Sequence, residues 1–227
     1  MSDSGDSTAG WYGKLPMLGD FAHRRLPREL ITACDVWLAQ GVAASRESLG
    51  AAWLDTYLTA PLWCFAWSPR IIDASWWFGV LMPSVDAVGR YFPLIIAFSA
   101  PQAPSDAQAL ALWAQWYESA SRCAMQTLQD RATLEEFEAA LAAVATPTAA
   151  TADAPADAAE AEWQLHTANA VWPQEAATIV LRSLAARLQS HSIWWPQQSS
   201  CDHAPPVTVM QGLPVAERFV ALLHGAP

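Results

Sequence analysis

A chain of 227 residues that is 53% hydrophobic is long enough to bury a full core as one large domain. Its 22 acidic against 12 basic residues leave a formal charge of −10, which argues against non-specific nucleic-acid binding, since that is driven by neutralising phosphates with a basic face. The longest apolar runs, such as Leu94-Ile95-Ile96-Ala97-Phe98, are strand-sized and fall short of the roughly 18–20 residues that cross a bilayer, so no membrane insertion is expected.

The N-terminal MSDSGDSTAG is acidic and polar and lacks the basic and apolar regions of a secretory signal, so the protein is expected in the cytoplasm, with residues 1–9 as a disordered tail. GWYGKLPMLGDF, residues 10–21, sets a Gly13-Lys14 pair among glycines. A phosphate-binding loop would need a glycine five positions before that pair and a Ser or Thr after it; those positions hold Thr8 and Leu15. Pro16 also lacks the N–H that an anion-binding helix start would offer. The stretch reads instead as a short strand at 11–14, ended by a turn at Pro16 and Gly19-Asp20.

From Pro27 the period changes. Leu30, Ile31, Cys34, Trp37, Leu38 and Val42 recur at helical spacing, with Gly41 inside the helix or kinking it. A second helix at about 49–57 stops at Ala60-Pro61, and strands follow at 62–67, 76–82 and 94–98, the short links predicting an antiparallel meander. Ser105-Asp106 caps a long helix to about 129, and Thr133 with Glu136 forms a capping box for the next, 133–144. Residues 146–162, TPTAATADAPADAAEAE, carry no aromatic, branched aliphatic or basic residue and are expected to be a poorly ordered loop. A helix at 174–189, strands at 192–195 and 206–210 and a closing helix at 214–223 complete the order. Strands in neighbouring groups predict an α+β fold: one domain over 10–225, its largely antiparallel central sheet covered by helices in an α/β/α sandwich-like arrangement.

Catalytic motifs are sparse. There is no G-x-S-x-G elbow, and His23, His166, His191, His203 and His224 never take H-E-x-x-H spacing. Cys201 and His203 stand two apart but lack further ligands, and the four cysteines include no C-x-x-C pair, so no metal, cofactor or disulfide is expected. Asp86 and Arg90, four apart in PSVDAVGRYFP, could be a catalytic acid with its partner; the shaped loop around them favours a structural ion pair. Lys14, Arg24, Arg25 and Arg28 concentrate four of the twelve basic residues in fifteen positions, either as a solvated face or as a docking patch for an acidic or phosphorylated partner. Of the thirteen tryptophans most should pack; adjacent pairs, Trp76-Trp77 and Trp194-Trp195, point to opposite faces of a strand, which leaves a minority free for an interface.

Together, GWYGKLPMLGDF, RRLPRE at 24–29, DVWLAQGVAASR at 35–46, WLDTYLTAPLWCF at 53–65, GVLMPSVDAVGRYFPL at 79–94, SIWW at 192–195 and the closing GLP and ERF resemble the TagF (ImpM) proteins of bacterial type VI secretion systems. Two departures are Cys34, where such sequences often carry Trp, and Pro196, where a small hydroxyl residue is usual. The resemblance implies a cytoplasmic, non-enzymatic regulator that holds secretion in check after translation, in association with the forkhead-associated scaffold protein. On that reading no residue is catalytic, and Lys14, Asp20, Arg24, Arg25, Arg28, Asp86 and Arg90 are the candidate partner-binding residues. The alternative is a hydrolase or phosphate-ester enzyme using Asp20, Asp86 and Arg90.

Overall fold

Alternation along a strand sends successive side chains to opposite faces of a sheet, so a strand that is apolar at every position needs cover on both sides. The three central strands have this character: Trp63–Trp67, Trp76–Met82 and Leu94–Ala100 are buried almost throughout. The computed structural model describes residues 8–147, 185, 187–197 and 207–225. Within them lie strands β1 (Gly10–Gly13), β2 (Ala22–Arg24), β3 (Trp63–Trp67), β4 (Trp76–Met82), β5 (Leu94–Ala100), β6 (His191–Pro196) and β7 (Thr208–Gln211). They form one sheet in the order β2-β1-β5-β4-β3-β6-β7, each neighbour antiparallel.

The helices among the described residues are α1 (Arg28–Leu49), α2 (Trp53–Thr59), α3 (Ala107–Gln126), α4 (Leu134–Ala142) and α5 (Ala216–Leu223). On one face of the sheet Trp76, Phe78, Val80 and Phe98 meet Trp113, Trp116 and Tyr117 of α3 and Phe137 of α4. On the other, Phe65, Trp67, Trp77 and Trp194 meet Leu30, Cys34, Trp37 and Leu38 of α1, Tyr57 of α2 and Phe219 of α5. The result is the expected α+β fold, with an antiparallel sheet between two helical layers.

The predicted helix starts hold. Asp106 accepts the Ala109 N–H at 2.7 Å, and Thr133 and Glu136 exchange the two bonds of a capping box. Differences from the sequence expectation have local causes. The three-residue β2 was missed because AHR carries no strand signature; its partner β1 defines it. Gly41 lies inside α1, one of the two places expected for it, and a Cβ there would lie 2.5 Å from the Phe219 ring, so the glycine admits α5. The helix expected at 49–57 is a 3₁₀ turn, Gly50–Ala52, followed by α2. Ala9, assigned by composition to the tail, is fully buried, and Thr8 bridges to Ala145.

Trp76 and Trp77 do point to opposite faces, yet both are buried because both faces are covered. None of the tryptophans among the described residues is exposed, so the expected exposed minority is not found there. Nearly all of the 146–162 loop, most of the 174–189 helix and the Cys201-His203 pair lie outside the described residues.

Candidate functional site

Strand β1 delivers its last residue, Gly13, against β5, and this sets the course of the chain at Lys14. Gly13 has φ 137°, and a Cβ there would sit 2.1 Å from the Pro93 carbonyl oxygen. Only glycine lets the chain pass so close, and the next side chain, Lys14, is turned inward. Its Nζ donates to Asp86 Oδ2 at 2.8 Å, with 4% and 0% of the two side chains exposed. Asp86 belongs to the loop between β4 and β5, which ends beside Gly13 because Met82 and Gly13 both pair with Leu94.

Every lone-pair direction of that carboxylate is in use. Oδ1 accepts the backbone N–H of Val88 at 3.1 Å and of Arg90 at 2.8 Å, while Oδ2 also accepts from Arg90 Nε at 2.7 Å. Arg90 reaches onward to the Gly19 carbonyl and stands 3.6 Å from Asp20 Oδ1. Ser84 Oγ donates to the Lys14 carbonyl at 2.7 Å, and Tyr57 Oη both donates to the Ser84 carbonyl and accepts its N–H. The loops at 14–21 and 83–93 are thereby pinned together at one end of the sheet. Burial by itself would raise the Asp86 pKa; the Lys14 ammonium, the two N–H donors and Arg90 outweigh it and hold the carboxyl well below its ordinary range.

Four of the sequence candidates, Lys14, Asp20, Asp86 and Arg90, therefore converge. Lys14 and Asp86 are closed off from solvent, while Asp20 and Arg90 are exposed. Carboxylate and guanidinium in one cluster could suggest acid–base chemistry. A general base, though, needs a free oxygen facing a substrate proton, and Asp86 has none.

The remaining arginines do not form a patch with Lys14. Arg25, at φ 58°, leaves β2 toward the layer of α3 and α4, where Nη1 meets Glu138 Oε2 at 2.6 Å and Nε donates to the Ala9 carbonyl at 3.1 Å. Glu138 also accepts from Trp11 Nε1. Burial would raise the Glu138 pKa, and the Arg25 and Trp11 hydrogen bonds outweigh it to hold the group below the usual value. Arg24 is exposed, and among the described residues its guanidinium hydrogen-bonds the carbonyl of its neighbour His23. Arg28 opens α1 on the opposite layer, at the mouth of a groove of about 660 Å³ lined by Val36, Trp37 and Leu213.

Sequence reasoning missed the partners of Lys14 and Arg25, which lie 72 and 113 residues away. One clue was present: a lysine between an apolar strand and Leu15 is placed for burial, and a buried lysine needs an acid. Burial pushes up the thiols of Cys34, Cys64 and Cys123, that of Cys64 to about 12, so they are held as protonated packing groups. Among the described residues no three His, Cys, Asp or Glu side chains are grouped to hold a metal ion, and no helix is long and apolar enough to cross a membrane.

Residues 10–144, which include the pinned loops and all seven candidates, match the TagF N-terminal domain, described as type VI secretion system-associated. Among solved structures, the crystal structure of PA0076 from Pseudomonas aeruginosa PAO1 is similar, with a TM-score of 0.73, 34% sequence identity and alignment over 95% of this chain and 94% of that one. No curated protein matches the sequence significantly.

Proposed function

This chain belongs to the TagF family of type VI secretion system-associated proteins, and we propose that it is a non-enzymatic regulator that restrains secretion after translation by binding the forkhead-associated scaffold protein of the apparatus in the cytoplasm. The observation that carries this reading is the state of Asp86. The one deeply buried carboxylate of the candidate site, which a hydrolase would need free, is saturated by Lys14, Arg90 and two backbone N–H groups and serves to set loop shape. Loops pinned in one conformation suit recognition, because a rigid surface loses little entropy when a partner docks.

Deleting the gene tests the regulatory role. Secretion should rise while the levels of the apparatus proteins stay unchanged; unchanged or abolished secretion would overturn it. The named partner is tested separately, by co-purification of the tagged chain with the host's forkhead-associated protein.

A further inference from the structure

At the same end of the sheet as the pinned loops, the C-terminal turn of α1 and the start of α2 form an open concavity of about 410 Å³, lined by Arg46, Gly50, Ala51, Trp53, Leu54 and Tyr91. Its floor is an aromatic column. Trp53 stacks on Tyr57 with centroids 4.8 Å apart, and Tyr91 meets both rings edge-on at 5.8 and 5.7 Å. Buried hydrogen bonds fix the column: Trp53 Nε1 donates to Ser45 Oγ at 2.8 Å, Ser45 in turn donates to the Val42 carbonyl, and Tyr57 is held by Ser84. Since Ser84 also bonds Lys14, the floor continues into the Lys14–Asp86 pin.

Over this floor lies Arg46, its guanidinium carbon 4.2 Å from the Trp53 ring centroid. The side chain is exposed, and among the described residues it makes no ion pair, although Glu47 adjoins it in sequence and Asp55 stands two residues beyond Trp53. A stacked guanidinium has lost much of its rotamer freedom already and keeps its edge N–H donors for another group. Leu54, 39% exposed, supplies an apolar rim. An oriented, unpaired arginine on buried aromatics, with an aliphatic neighbour, is the composition of an interface hot spot.

We propose that this cup is the contact point for an acidic segment of a protein partner, a carboxylate taking the Arg46 fork while a neighbouring apolar side chain packs on Leu54 and Tyr91. The proposal rests on the reading of this chain as a binding module, and charge complementarity selects the occupant: the free donors are cationic, and the walls that surround them are apolar.

The test uses the full chain and the purified forkhead-associated scaffold, with affinity read by calorimetry and fold by circular dichroism. Arg46→Ala should weaken binding about tenfold or more. Arg46→Lys, which keeps the charge but loses the planar fork, should fall between it and wild type. Leu54→Glu leaves the Arg46–Trp53 stack untouched and sets a like charge on the rim, so it should weaken binding even if Arg46→Ala proves unstable. Unchanged affinity in Arg46→Ala and Leu54→Glu would overturn the cup and leave the regulator reading intact. Should wild type fail to bind the scaffold, the partner named above is wrong, and complementation of the deletion strain decides the cup. A folded, normally abundant Arg46→Ala protein that restrains secretion like wild type overturns it, and one that fails to restrain supports it.

Discussion

Two ion pairs bracket the first strand, and their surroundings differ more than their chemistry. Lys14–Asp86 sits where β1 ends, with almost nothing of either side chain exposed. Arg25–Glu138 ties the start of the chain to α4, with about a quarter of each side chain in water, 23% and 25%. Each joins segments remote in sequence, so each fixes tertiary geometry. Removing one partner of the buried pair leaves a charge that water cannot reach, whereas water can replace a partner lost from the half-exposed pair. The first pair is thus a condition for its loops having one shape, and the second is a tether between layers.

The largest expected effect comes from the buried pair. Asp86→Ala strips Lys14 of its counter-charge and leaves the N–H groups of Val88 and Arg90 without their acceptor. The melting temperature should fall on the order of 10 °C. Lys14→Met should cost less, because Asp86 retains Arg90 and both N–H donors. Replacing both, K14M with D86L, should recover part of the loss, since two apolar groups leave no buried charge unpaired. Equal losses in the two single variants, read by thermal melts, would show that the ion pair with Lys14 carries the whole contribution of Asp86 and that the loop N–H groups and Arg90 add nothing to it.

Acid acts on the buried pair. The folded Asp86 carboxyl is held below its unfolded value, so its contribution is complete above roughly pH 5 and is lost as pH falls through the ordinary carboxylate range near 4 and below. Denaturant melts from pH 7 down to pH 2.5 should therefore show wild type and Asp86→Asn differing by a constant amount above pH 5 and converging below pH 4. A gap that widens toward low pH would mean that the carboxyl is not ionised in the folded state.

The half-exposed pair comes next. Arg25→Ala removes one donor to Glu138, which keeps Trp11 Nε1, and takes one donor from the carbonyl of the buried Ala9. A drop of about 2–4 °C is expected, several-fold below that of Asp86→Ala. A loss as large as for Asp86 would show that the tether carries the packing of α4 on Trp11.

Legibility in the sequence divides in the same way between local and remote. Helix caps at Asp106 and Thr133, the meander of β3 to β5 and the opposite directions of Trp76 and Trp77 were legible because each is set by residues within a few positions. The Asp86–Arg90 pair was legible for the same reason, at a spacing of four. Lys14 with Asp86 and Arg25 with Glu138 were not, since each depends on which strand or helix becomes whose neighbour. The basic run at 14–28 is contiguous in sequence but divided in space. Gly13 turns Lys14 inward, Arg25 turns toward α4, and Arg28 starts a helix on the other layer. The cup at Arg46 is not legible in the sequence, because its parts come from three separate motifs.

The smallest effect carries the most informative sign. Arg28 is the first residue of α1, just after Pro27, and among the described residues it has no ion-pair partner. The start of a helix carries the positive end of its dipole, so a cation there is unfavourable and an anion favourable by about 0.3–1 kcal/mol each. Arg28→Glu should accordingly raise the melting temperature by about 1–3 °C, while Arg24→Glu, at an exposed arginine whose guanidinium hydrogen-bonds a neighbouring carbonyl, should leave it within about 2 °C. A fall on Arg28→Glu would reveal a structural partner for this arginine. A rise accompanied by weaker scaffold binding would show a helix start kept below its best stability for the sake of contact, and would add the groove beside Arg28 to the binding surface.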